Sequence, residues 1–194
     1  MIRAVVSVVI PVYNGETFVF DTINSVVNQT YSNIEILVVD DGSTDATASI
    51  VKSIVDPRIT YFHQANSGVS RARNFGMLQA HGSFIMFLDA DDLLHPGFIE
   101  QRICFISSCN ADCLTGPVFL FGDSIAKLQQ LRGCSINGMQ EILLSNPSVT
   151  TAPSAYFFRL EFLKEHFLFF NENLSSTADR EFLIRCLAVG TFIF

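Results

Sequence analysis

The sequence predicts an α/β fold, a mainly parallel central sheet flanked by helices, on three observations. Short continuous apolar runs rich in Val, Ile and Phe recur at AVVSVVI, IEILVVD, ITYFH and SFIMFLD, as in strands that helices cover on both faces. Helical periodicities lie between the runs, so strand and helix alternate to residue 89 and right-handed crossovers are expected. Carboxylates stand where runs end, Asp40 and Asp41 after one and Asp89, Asp91 and Asp92 after another. Sheets of this kind hold ligands beyond the carboxyl ends of their strands, so the five acids are expected on one rim.

The elements follow in order. Residues 17–29 set Ile23, Val26 and Val27 on one stripe, as a helix packed on a sheet requires. Residues 45–55 set Ile50, Val51, Ile54 and Val55 on another, with Ser43 or Thr44 positioned to cap it and Asp45 in its first turn. A third helix starts near Ser67 or Gly68 and carries GVSRARNFGMLQA until Gly82, the glycine expected just past a helix end. After Pro96 the sequence predicts a helix over 97–108, a strand-like ADCLTGPVFLF and a helix around 138–144. A last amphipathic helix follows Asp179, with Phe182, Leu183, Cys186 and Leu187 inward and Ser176 or Thr177 as a cap. The Phe-rich residues 155–170 read as core rather than as a greasy acceptor or membrane face, since aromatics dominate cores.

With 194 residues, 49% of them hydrophobic and 16% charged, the chain has material for one sizeable core. A net charge of −7 excludes the clustered Lys and Arg on which nucleic-acid affinity is built, and it is equally unlike a polybasic membrane-surface module. The five cysteines contain no C-x-x-C pair, and their odd number without a secretion signal predicts reduced thiols rather than a zinc site. The apolar start AVVSVVI runs directly into Pro11, too short for a membrane span or a signal-peptide core. A soluble, cytoplasmic chain is expected. Its apolar last residues, CLAVGTFIF, lead us to expect a longer natural protein.

Three constellations can carry chemistry. Carboxylates two apart at a strand end, Asp89 and Asp91, can bind Mg²⁺ or Mn²⁺ and leave the rest of the shell to phosphates and water. Taken alone, the same residues also describe an acidic turn. In VVDDGSTD a carboxylate can accept from a base N–H or a ribose hydroxyl, with Gly42 free to take positive φ; turn and cap formation is the plainer use of those residues. In SRARN, Arg71 and Asn74 share a face near a helix N-terminus, where a guanidinium can clamp a phosphate. A solvated helix face is the alternative.

In order and spacing, VSVVIPVYN, EILVVDDGSTD, NSGVSRARNFGM and SFIMFLDADD resemble the sequential motifs of family 2 glycosyltransferases over the first hundred residues. The resemblance implies a GT-A fold and a metal-dependent, inverting hexosyltransferase that uses a nucleoside diphosphate sugar, UDP being the commonest nucleotide, with Mn²⁺ or Mg²⁺. It implies that Pro11, Tyr13 and Glu16 contact the nucleotide and that Asp41 reads the base, with Asp40 beside it in the turn. Asp89 and Asp91 then bridge ribose, metal and diphosphate, Asp91 being the better metal ligand, while Arg71 and Arg73 face the diphosphate. The catalytic base falls on Asp179, where the family's usual Glu–Asp pair reads Ala178–Asp179; Glu172 and Glu181 are the other candidates.

On this reading residues 1–194 are one catalytic domain, with about 1–100 as donor half and about 101–194 as an acceptor half truncated at its C-terminus. The acceptor is a glycan, a lipid-linked or another hydroxyl, in cell-surface polysaccharide or glycan assembly. Peripheral membrane association through a missing C-terminal region would set the chain at the inner face of the plasma membrane; no oligomeric state is implied. Two other functions compete. The altered Ala178–Asp179 pair suggests a nucleotide-sugar-binding domain without turnover. A D-x-D phosphatase with a nucleophilic first Asp fits less well, because Leu93 follows Asp92 and the motif ends the fourth strand.

Overall fold

The computed structural model describes residues 4–116, 118–120, 129–131 and 151–193. The four apolar runs form the parallel strands β1 (Val6–Val12), β2 (Ile34–Asp40), β3 (Ile59–His63) and β4 (Phe84–Phe87). With β5 (Cys113–Thr115), β8 (Tyr156–Arg159) and β9 (Phe192–Ile193) they make a sheet ordered β3-β2-β1-β4-β8-β5-β9. β8 runs antiparallel to both β4 and β5, and β9 runs parallel to β5. A separate antiparallel pair joins β6 (Val118–Leu120) to β7 (Gln129–Leu131).

The helices are α1 (Val19–Val27), α2 (Thr47–Ser53), α3 (Val69–Gln79), α4 (Phe98–Ser108), α5 (Leu160–Glu165) and α6 (Ala178–Val189), with a 3₁₀ turn at Pro153–Ala155. Alternation along the buried strands divides the core into two layers. Val9, Leu37, Val39, Ile85 and Phe87 face α3 and α6, meeting Ala72, Met77, Phe182 and Leu183. Val8, Ile10, Ile36, Val38 and Met86 face α1 and α4, meeting Val19, Ile23, Val26, Ile99 and Ile106. Burial on both faces is why β1, β2 and β4 read as unbroken apolar runs; β3, at the edge of the sheet, is instead only partly buried, with Thr60 and His63 exposed. The Phe-rich segment is core as expected: Tyr156, Phe157 and Phe158 are fully buried in β8, whereas Phe167 is exposed. No helix among the described residues is long and apolar enough to cross a membrane.

Several local expectations are corrected. Ser43 and Thr44 do not cap α2, whose N-cap is Ala46; Asp45 accepts from the Thr47 N–H instead, and Glu16 accepts from the Ala46 N–H. Val55 lies beyond the end of α2 and is exposed. Helix α3 ends at Gln79, and Gly82 serves packing: an added Cβ would lie 2.6 Å from Ser7 Oγ and 2.8 Å from the Val5 carbonyl oxygen. The run 111–121 divides between β5 and β6 in different sheets. The helix expected around 138–144 lies outside the described residues.

The same closeness operates at Gly76, where an added Cβ would collide with Val9 Cγ1 and come within 3.3 Å of Val39 Cγ2. Alanine gains about 1 kcal/mol of helix propensity over glycine. Overpacking against a β-branched strand costs about 1–3 kcal/mol. We therefore expect Gly76→Ala to lower the urea midpoint with an unchanged slope; a raised midpoint would refute such tight packing of α3 on β1.

Candidate functional site

The rim is set by where the strands stop. The last pairing of β4 with β1 is Phe87 with Val9, and the Leu88 N–H then donates to the Val9 carbonyl. The chain leaves the sheet there as a turn closed by the Asp92 N–H on the Asp89 carbonyl. Pro11 is buried in β1 beyond that last pairing, where its missing N–H leaves the β1–β4 ladder intact.

Helix α1 and the residue just past its C-cap hold the turn through Thr22, Ser25 and Gln29, polar residues whose role the sequence reading missed. Thr22 Oγ1 donates to the Ala90 carbonyl at 2.7 Å, Ser25 Oγ accepts from the Leu94 N–H at 3.1 Å, and Gln29 Nε2 donates to the His95 carbonyl at 2.8 Å. The i, i+3, i+7 pattern of small or amide side chains facing a sheet was the available signal.

Each acid of the rim has a different environment. Asp40 is fully buried and accepts from the Ser43 N–H at 2.8 Å and the Tyr61 hydroxyl at 2.6 Å. Burial opposes its charge, but the bonds from Ser43, Tyr61 and His63 hold its pKa below the ordinary value. Asp41 accepts from Gln64 Nε2 at 2.7 Å and from the N–H groups of Ser67 at 2.9 Å and Gly68 at 2.7 Å. Gly68, at φ 94°, is the N-cap of α3, so this carboxylate sits at a helix amide end. Three of its roughly four acceptor directions are used. Gly42 takes φ 80° as expected, and the backbone it approaches is that of Asn66.

Asp89 is partly buried, Asp91 is exposed, and Asp92 accepts from Ser154 Oγ at 2.6 Å. Burial pushes the Asp92 carboxyl up, the Ser154 bond opposes this, and the charges of Asp89 and Asp91 add to the rise. Asp92 thus supports the turn from the 3₁₀ segment. Asp91 and the Asp89 oxygen that Arg73 does not engage remain as oxygen donors. As such they would suit Mg²⁺ or Mn²⁺, with phosphate and water completing the shell. Among the described residues no group of three or more His, Cys, Asp and Glu gathers as a closed metal cluster.

The two arginines of SRARN separate. Arg71 is exposed and lines a pocket of about 400 Å³ with Gln64, Ser67, Phe75 and Glu172, beside the loop that bonds Asp41. Arg73 is buried, its Nη2 2.6 Å from Asp89 Oδ1 and its Nη1 2.6 Å from Asp179 Oδ1. Asp179, in the first turn of α6, is thereby joined to the D-x-D turn through Arg73, which precedes it by 106 residues of sequence. Burial pushes its carboxyl up; Arg73 counters, and the charge of Asp89 adds to the rise. The other candidate acids have other partners. Glu172 accepts from Asn74, and Glu181 is forked by Arg185 on its own helix.

Tyr13 lies half exposed on the rim. Glu16, besides the Ala46 N–H, has its own N–H on Asp45, so it ties the β1–α1 loop to the β2–α2 loop. Asn14, at φ 49°, does the same through Ser43 and Thr44, which explains why those hydroxyl residues are not caps.

Residues 7–167 match the family model described as Glycosyl transferase family 2. Glycosyltransferase GlyA of Streptococcus pneumoniae serotype 4 is 40% identical over 121 residues, 61% of this chain and 17% of that protein. Among solved structures, S. aureus TarS 1-349 superposes with a TM-score of 0.81 at 25% identity, covering 97% of this chain and 57% of that one. That protein has also been solved in complex with UDP and with UDP-GlcNAc. The mannosyltransferase PcManGT of Pyrobaculum calidifontis, in complex with GDP-Man and Mn²⁺, shares the fold at a TM-score of 0.72 and 18% identity. The chain spans 57% or less of the length of these relatives.

The Tyr61 hydroxyl tests the acidic rim. Because the folded pKa of Asp40 is depressed, its stabilisation is present above the ordinary value of 3.8 and is lost as pH falls through the folded one. Tyr61→Phe should therefore cost about 1.5–3 kcal/mol at neutral pH, the worth of a hydrogen bond to a charged group. In denaturation series at several pH values the difference from wild type should shrink below 3.8; a constant difference would exclude the charged bond.

Proposed function

The chain belongs to glycosyl transferase family 2, and we propose that it moves a sugar, with inversion, from a nucleoside diphosphate sugar to an acceptor hydroxyl. The observation that carries this reading is the meeting of Asp89, at the end of β4, with Asp179, at the start of α6, on one arginine. A donor-side carboxylate and a partly buried candidate base then face the same rim.

Asp179 removes the proton of the acceptor hydroxyl as that oxygen bonds to the anomeric carbon, and the nucleoside diphosphate leaves from the opposite face. A carboxyl raised by burial is the better proton acceptor, being closer to the working pH. Asp89 and Asp91 would hold a divalent cation, which supplies charge neutralisation for the leaving diphosphate. Asp41 and the pocket beside Arg71 border the nucleoside. Tyr13 offers an exposed ring, while Pro11 and Glu16 shape the loop beneath it. The UDP and UDP-GlcNAc complexes of TarS support a UDP sugar as donor, and the Mn²⁺ complex of PcManGT supports a divalent cation.

In this reading the 194 residues form one catalytic domain, about 1–100 serving the donor and about 101–194 the acceptor. The acceptor is a glycan or lipid-linked hydroxyl in cell-surface assembly, reached from the cytoplasmic side of the membrane. A panel of nucleoside diphosphate sugars with Mn²⁺, read by thermal shift and then by donor hydrolysis or transfer, tests the function. Donor binding without turnover of any kind would leave a nucleotide-sugar-binding domain instead.

Asp179→Asn and Asp91→Ala should each reduce kcat by ~10²-fold or more, the size of base catalysis and charge stabilisation. Near-normal turnover in Asp179→Asn removes that residue from the mechanism. The base acts deprotonated and its pKa is raised, so the acid limb of kcat/KM should fall above 3.8 in wild type. Calorimetry should show UDP binding more tightly with Mn²⁺ than with EDTA, since phosphate oxygens complete the cation's shell. Equal affinities would exclude a cation bridge.

A further inference from the structure

We propose that Arg73 is a positioning residue that sets Asp179 against Asp89, and that it does not bind the donor's diphosphate. The inference rests on the glycosyl-transfer reading above. Arg73 is 3% exposed and both of its terminal nitrogens are taken by carboxylates, each at 2.6 Å. Its Nε is buried as well, so the guanidinium is withdrawn from solvent and spends a bond from each terminal nitrogen on the two acids.

What surrounds the guanidinium makes the arrangement rigid. It lies 5.1 Å from the centre of the Phe170 ring. Phe170 stacks on Phe182 with ring centres 4.0 Å apart, and Phe87 meets both edge-on at 5.0 and 6.3 Å. Phe87 precedes Asp89 by two residues, and Phe182 follows Asp179 by one helical turn. The aromatic stack therefore fixes the roots of both acids from below while Arg73 ties their ends. Asn74, the next residue, accepts from the Phe170 N–H at 2.8 Å and donates to the Phe170 carbonyl at 2.9 Å, locking the ring's own backbone.

Arginine suits this place for two reasons. Its planar fork reaches two acceptors at once, which a lysine ammonium on a flexible stem does not do with fixed geometry. Its charge offsets the repulsion between two acids brought to one rim. The donor-facing guanidinium of SRARN is then the exposed Arg71. A misplacement of about 1 Å at a reacting group can cost ~10²-fold in rate, so a positioning arginine acts on kcat, while metal-free nucleotide binding, which does not pass through Asp89, stays unchanged.

The test compares Arg73→Lys and Arg73→Met with wild type in the full chain, measuring UDP affinity in EDTA by calorimetry, so that the cation site at Asp89 does not enter, and kcat and donor KM with the best sugar nucleotide of the panel. We expect kcat to fall ~10²-fold in both variants, with UDP affinity close to wild type. Added guanidinium should restore part of kcat in a folded Arg73→Ala. UDP affinity falling as far as kcat would place Arg73 on the diphosphate and overturn the proposal, as would wild-type kcat in Arg73→Lys. If Arg73→Met does not fold, Arg73→Lys decides. A wild-type chain that binds and turns over no sugar nucleotide defeats the functional reading and this inference with it, whereas an active wild type with an unimpaired Arg73→Lys defeats this inference alone.

Discussion

Strand β4 lies between the parallel β1 and the antiparallel β8 with all four of its residues out of water, and the chain quits the sheet only after Leu88 has bonded the Val9 carbonyl. Everything at the rim depends on that placement. Asp89 emerges one residue later, so its direction is inherited from a strand that cannot slip without turning its apolar faces inside out. The same burial brings β8 alongside, and β8 leads into α5 and the segment that carries Phe170 toward α6. A central strand thus delivers one carboxylate and, through its antiparallel neighbour, sets the path that returns the second.

The rim concentrates negative charge, yet the protein supplies most of the opposing groups itself. Tyr61 and Ser43 serve Asp40; Gln64, Ser67 and Gly68 serve Asp41; Ser154 serves Asp92; Arg73 serves Asp89 and Asp179. A buried carboxylate without such donors would lose its charge, because desolvation penalises the ion far more than the neutral acid. Asp91 is the member of the D-x-D turn left exposed. The acidic cluster is therefore a scaffold of satisfied acids around a small open face, which is how a site can be both negatively charged and stably folded before any ligand arrives.

Strands β1, β2 and β4 were legible because burial on both faces leaves little choice of residue type, the edge strand β3 was legible as an apolar run although none of its residues is fully buried, and the helices α1 and α2 were legible from their stripes. Caps were not, for a specific reason. Ser43 and Thr44 carry every local mark of N-caps, but Asn14, 29 and 30 residues away, competes for them and wins. Gly82 carries the mark of a helix stop, whereas its cause is the closeness of Ser7 and Val5 on a neighbouring strand. Thr22, Ser25 and Gln29 were visible as a polar stripe, but nothing local says that the stripe faces the backbone of the D-x-D loop.

The sequence by itself determined the α/β class, the order of the parallel strands' segments, the acids at their ends and the resemblance that names the family, because periodicity and motif spacing are properties of short stretches. Only the tertiary structure decided which acid meets which partner. It divided Arg71 from Arg73, two residues apart, into an exposed and a buried guanidinium, and it joined Asp179 to Asp89 rather than leaving it as a helix cap. Those outcomes depend on side chains brought together from segments separated by as many as 106 residues. Their geometry follows from the packing of Phe87, Phe170 and Phe182 and not from any local preference of the residues involved.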